Sequence, residues 1–270
     1  MSGSFLDTTI VVHLAEAIEP ERARADTHIS ANRPASMPYY ALQELLAGRV
    51  RVLCETHNIL RSAENEGEAL LAMTRRSPQE GRKKEARMQA LANALKDIFS
   101  ASPTGPREHV KREALQALAL KVSRLWRNSA QLASVQLTQS LSCFNSGKLS
   151  YGESGELRGP GDSFNCRKNE RCAAAAYIYD DKLTLDKLIA ALHPNNLTVE
   201  AANKNENKMR RKALKELREK GPSAFPKTRC RALGDAYFAA MCPPGSDVLT
   251  SNLVDYLPLC QALGKLAREP

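Results

Sequence analysis

The chain has 270 residues, enough to bury a core and to hold one enlarged domain or two small ones. A formal net charge of +9 and a pI near 9.3 make nucleic acid the first partner to weigh, although many basic proteins bind none. Seven cysteines, an odd number scattered along the chain, argue against a disulfide framework and suit a reducing cytoplasm; no apolar run reaches the roughly 20 residues a bilayer requires, and no secretory leader is expected.

Hydrophobic residues make up an ordinary 43%, but aromatics only 5%, and the abundance of Ala, Leu, Lys, Arg and Glu predicts a largely helical protein. Phe5-Leu6 reads as a very short strand followed by Asp7. Ile10, Val11, Leu14, Ala15 and Ile18 then share one helical face. A polar stretch runs from Glu19 to Pro34. Ala35-Ser36-Met37-Pro38 has the character of a strand end and turn, and a helix follows through Tyr40, Leu42, Leu45 and Leu46 with Glu44 inside it.

From about 60 to 135, breaks at Pro78 and at Ser102-Pro103-Thr104-Gly105-Pro106 predict three helices, ending near Arg76, Phe99 and Val135. Leu115, Leu118, Val122, Leu125 and Trp126 form a packing stripe on the third. Residues 145–165 are polar and glycine-rich, lack the Gly-Lys-Ser/Thr ending of a phosphate-cradling loop, and read as a mobile linker. Ala175 to Tyr179 reads as a short buried strand. Thr184 caps a helix to about His193, and Thr198 another to about Lys220. A helix over about Lys227 to Cys242 stops at Pro243-Pro244-Gly245. Asp247 to Thr250 is then a strand, followed by Ser251-Asn252 and a turn carrying Asp255.

Four acids stand at informative places. Asp7 and Asp255 follow strands, Asp235 opens a helix of small residues, and Glu44 lies in an otherwise apolar helical stretch. In an open α/β sheet, acids at strand ends and adjoining helix starts share the crevice beyond the carboxyl edge. Clustered carboxylates repel one another and raise their own pKa values. A hard divalent cation relieves that repulsion, activates a bound water and polarises a phosphodiester. The bland alternative is that each acid is a helix cap or a solvated charge.

The segments Phe5-Leu6-Asp7-Thr8-Thr9, Tyr40 to Leu46, Leu233 to Ala240 and Val248 to Tyr256 resemble, in order, the four motifs of PIN domains, the family that includes toxins of VapC type. The resemblance implies an α/β fold, a small parallel sheet sandwiched by helices, with Asp7, Glu44, Asp235 and Asp255 binding Mg²⁺ or Mn²⁺. Thr250 and Asn252 would orient the site or the scissile phosphate. It also implies in-line attack of metal-bound water, leaving a 5′-phosphate. Thr9 stands where the family often has Asn, and Tyr256 where it usually has Phe. The interval from Glu44 to Asp235 exceeds that of a compact PIN domain. The expected organisation is therefore a catalytic core from 1–60 and 171–270 with a mainly helical insertion at 61–170.

Outside these motifs, Lys208, Arg210, Arg211, Lys212 and Lys215 lie on a basic helix that could neutralise phosphates or serve as a solvated face. Cys166 and Cys172 could offer two zinc ligands, but ordinary thiols are the better reading, and the five histidines form no array. The expected function is a cytoplasmic, metal-dependent endoribonuclease for single-stranded RNA, with a protein inhibitor or a second copy as further partners and no membrane association. The rival readings are a catalytically silent scaffold binding RNA or protein, and a nuclease acting on DNA.

Overall fold

Gly3-Ser4-Phe5-Leu6 forms strand β1 and buries all four residues, as expected of a strand covered on both faces. It pairs in parallel with β2 (Ala35–Pro38) on one side and β6 (Ser246–Leu249) on the other. The fit is tight. A side-chain carbon on Gly3 would lie 2.8 Å from the Pro34 carbonyl oxygen and 2.8 Å from Ser246 Oγ. Burying Phe5 and Leu6 completely contributes about 1.5–3 kcal/mol each.

This computed structural model describes residues 3–16, 19–64, 107–132, 136–138, 148–159, 172–199, 205–225 and 232–270, with isolated positions at 68, 69, 71, 72, 92 and 201. The helices expected to end near Arg76 and Phe99, and Cys166, lie outside the described residues. The chain divides into two compact units. The first comprises Met1–Gln43, Gln131–Phe144 and Phe164–Pro270, and the second Glu44–Ala130 and Asn145–Ser163. These limits differ from 60 and 170, because 131–144 returns to the first unit and the second begins at Glu44.

The first unit carries the sheet. Strand β3 (Gln136–Thr138) lies beside β2, and β7 (Ala267–Arg268) beside β6, giving the all-parallel order β3-β2-β1-β6-β7. The chain builds outward from β1 to β3, then resumes on the opposite side of β1 with β6. At such a reversal the crevice opens beyond the carboxyl ends of the strands. Asp7 and Thr250 are the first residues past β1 and β6.

Around the sheet, α1 (Thr8–Glu16) follows β1, and α2 (Glu21–Ala31) occupies the polar stretch. Helix α3 (Tyr39–Leu45) passes through a π-helical turn (Leu46–Val50) into α4 (Arg51–Ser62) in the second unit. There α5 (Arg107–Leu132) buries Ala114, Leu118, Val122 and Leu125, whereas Leu115 and Trp126 are only half-buried. Residues 150–158 are not a linker. Strands β4 (Ser150–Tyr151) and β5 (Leu157–Arg158) form a hairpin whose Leu157 exchanges two hydrogen bonds, both 2.8 Å, with the Asn58 amide on α4.

Back in the first unit, Ala173–Asp180 is a helix, α6, not the expected strand. Its buried residues Ala174, Ala175 and Ile178 follow helical spacing. Helix α7 (Lys182–Ala191) is capped by Asp181, whose carboxylate accepts from Thr184 N at 3.0 Å. Helices α8 (Asn205–Lys220), α9 (Gly234–Met241) and α10 (Leu253–Ala262) complete the unit. Asp255 therefore stands in the first turn of a helix, not in a turn before one. Among the described residues no helix is long and apolar enough to cross a membrane.

Candidate active site

Asp7 is the hub of the carboxyl edge. Its Oδ1 accepts from Thr8 N at 2.6 Å and from the Tyr256 hydroxyl at 2.7 Å. Its Oδ2 accepts from the hydroxyls of Thr9 and Thr250, both at 2.9 Å. Asp7 stands at the N-cap of α1, with Thr9 N at 3.5 Å from its Oδ2, so the bland reading of this acid holds in part. A cap does not need three hydroxyls. Thr9 and Tyr256, the two positions at which the chain departs from the PIN pattern, both donate to this carboxylate.

Thr250 is fully buried, and its oxygen also accepts from Asn252 N at 3.0 Å. Asn252 Nδ2 in turn donates to Asp255 Oδ2 at 2.5 Å. Asp7, Thr250, Asn252 and Asp255 thus form one hydrogen-bonded chain across the ends of β1 and β6. It links residues that sequence analysis singled out separately.

Asp235 enters from the start of α9, a helix that buries six of its eight residues and packs against α10 and α6. Phe238 packs edge-on against Phe5, Tyr40 and Tyr256, with ring centroids 6.4, 5.4 and 6.4 Å apart, and Tyr237 meets Tyr40 and Tyr177. Six of the chain's few aromatics therefore collect behind the acids. At the far end of α9, Lys265 Nζ donates to the carbonyls of Ala239 and Ala240 at 2.8 and 2.9 Å, satisfying the helix end.

Asp235 is the second residue of α9, whose N-cap residue Leu233 makes no side-chain cap bond. The Asp235 carboxylate pairs with the Arg210 guanidinium of α8, which also donates to Asn207. Arg210 is 5% exposed and Asp235 31%. Here the structure corrects an expectation: Arg210 does not face solvent with the other cations, but turns inward among Ala213, Leu214 and Leu217. Burial pushes the Asp235 carboxyl above its usual range, and Asp7 and Asp255 push the same way, against Arg210 and the Tyr256 hydroxyl. The three aspartates are thus electrostatic neighbours.

Glu44 belongs to the second unit. It stands half-buried on α3, one helical turn beyond Tyr40. Lys208, Lys212 and Lys215 are exposed and Arg211 is half-buried.

The donor set of Asp7, Asp235 and Asp255, with a threonine hydroxyl and an asparagine amide oxygen beside them, offers oxygen ligands and fits a hard cation by chemistry. Among the described residues no three His, Cys, Asp or Glu side chains are placed to hold one ion together. The positive charge beside Asp235 is Arg210, which takes its Oδ2. Comparison with family models, curated proteins and solved structures returns no match for this chain.

Proposed function

We propose that the protein is a metal-dependent nuclease that hydrolyses phosphodiester bonds of single-stranded RNA at the carboxyl ends of β1 and β6. The observation that carries this reading is the hydrogen-bonded chain of Asp7, Thr250, Asn252 and Asp255 at the carboxyl ends of β1 and β6, where the strand order reverses, with Asp235 close enough for both acids to act on it. Such a cluster costs stability, and Mg²⁺ or Mn²⁺ would offset it and supply an activated water and an electrophile for the phosphate. Asp7, Asp235 and Asp255 would hold the ion.

The chain's own residues have definable parts. Thr9, Thr250 and Tyr256 fix both oxygens of Asp7, so this carboxylate is oriented before any ligand arrives. Asn252 orients Asp255. Arg210 neutralises Asp235 in the meantime.

The test is cleavage of a labelled single-stranded RNA and a matched DNA, with Mn²⁺ or EDTA. RNA cutting that requires metal is the expected result. Preference for the DNA would redirect the reading to a DNA nuclease. Absence of cutting, together with no Mn²⁺-induced rise in Tm, would reduce the acids to structural roles.

A further inference from the structure

Helix α8 has two working faces. Arg210 lies on the inner one with Ala213, Leu214 and Leu217, and reaches Asp235. The opposite face, at 208, 211, 212 and 215, borders a cavity of about 570 Å³. That volume lies within the roughly 300–1,000 Å³ of small-molecule pockets. Its other wall, just past α7, is apolar and comprises Leu192, Pro194 and Leu197.

Lys208, Arg211, Lys212, Lys215 and Lys220 bring five cations to the groove, against the carboxylates of Glu216 and Glu219. Lys220 is held by Glu216 at 2.9 Å, so the other four cations dominate the field. Arg211 adds a sharper signal. Its Nε is buried and has no hydrogen-bond partner among the described residues. Buried donors are nearly always satisfied, and an oxyanion in the groove that Arg211 lines is one acceptor for it.

We propose that this groove binds a nucleotide of the RNA substrate outside the acid site, its phosphates on Arg211, Lys212 and Lys215 and its base against Pro194 and Leu197. The ligand class rests on the nuclease reading, because α8 connects the two places. A helix is about 10 Å across, a distance a few nucleotides of single strand bridge. A strand anchored in the groove is thereby presented to Asp7, Asp235 and Asp255. The anchor reads phosphate and a flat base face, so it takes RNA without regard to sequence.

The test is fluorescence anisotropy with a labelled uridine 12-mer in EDTA, which separates binding from cutting. Wild type is compared with the double variant Lys212→Gln/Lys215→Gln and with Arg211→Gln, each first shown to keep the wild-type Tm. The double variant should bind about 10-fold more weakly, and the plot of log Kd against log salt should flatten by about 1.4 for two lost phosphate contacts. Unchanged affinity and slope would overturn the groove while leaving cleavage by Asp7 to be judged alone. Wild type that binds RNA through these residues, yet cuts nothing with Mn²⁺, would remove the nuclease reading and leave the groove. A labelled polyglutamate peptide bound more tightly than RNA, and lost in the same variants, would also overturn the proposal by making the groove a protein-docking surface.

Discussion

Along the carboxyl edge of the sheet, residues 7, 9, 250, 252, 255 and 256 are drawn from opposite ends of the chain and bind one another through short hydrogen bonds. The groove on α8 comes from one stretch, 192–220, and most of its cations face water. A change at the edge therefore disturbs several partners at once, whereas a change in the groove alters field and contact area and little else. Arg210 is the single residue of α8 that belongs to the first region.

The sharpest way to test that contrast is Asp7→Asn. Cleavage should fall by more than the roughly 100-fold that loss of an outer-sphere partner costs a metal site. Stability should fall by only about 1 kcal/mol, because the Thr9 and Thr250 hydroxyls at Oδ2 can turn to accept from the new amide. Denaturant unfolding beside the RNA assay checks both. A large stability loss would mean that the inactivity is unfolding.

Arg210→Met should come next. Breaking a fully buried ion pair costs about 3–5 kcal/mol, and the exposure of Asp235 reduces this to about 2–3. Mn²⁺ should recover part of the loss in a thermal melt, and adding Asp235→Asn should recover it without metal. A stability unchanged from wild type would show that Arg210 belongs with the solvated cations after all.

Tyr256→Phe removes one charge-assisted bond to Asp7 and should cost about 1.5 kcal/mol with a 10- to 100-fold loss of cleavage. Thr9→Val, acting on the other oxygen, should show a similar activity defect. If both variants cleave as wild type does, preorientation of Asp7 is not needed.

The smallest effect lies in alkali. Burial pushes the Cys242 and Cys260 thiols up to about 12, against about 8.5 for a free thiol. Above about pH 8.5 the unfolded chain releases these protons first, so stability is full below that value and declines as pH rises toward 12. Lys265, lowered by burial, opposes the trend in part. Cys242→Ala/Cys260→Ala should flatten the alkaline limb of urea midpoints measured from pH 8 to 10.5.

Much of the first unit was legible because its signals are local. An apolar pair before Asp7 and an apolar run before Thr250 announced β1 and β6, and Pro243-Pro244-Gly245 announced the end of α9. Helix α2 was missed because only Ala25 of its eleven residues is buried, which leaves no period to detect. Ala175 to Tyr179 passed for a strand because five apolar and aromatic residues cannot separate a period of 2 from one of 3.6. The inward turn of Arg210 was available in principle, since 210, 213, 214 and 217 mark one helical face, but the surrounding lysines and arginines hid it. Tyr256 and Thr9 were noted only as departures from a motif. Their hydrogen bonds to Asp7 depend on pairing across nearly the whole chain, which no local pattern encodes.

That pairing sets a timetable for synthesis. β6, the partner of β1 on one side, leaves the ribosome about 240 residues after it (246 − 6 = 240). At roughly 5–20 residues per second the interval is on the order of tens of seconds. Throughout it, one edge of β1 is open and Asp7 is without Thr250 and Tyr256. A nascent chain thus carries a strand with one open edge that invites wrong partners, but no assembled acid cluster. Whatever chemistry the cluster performs is withheld until translation has delivered β6 and α10.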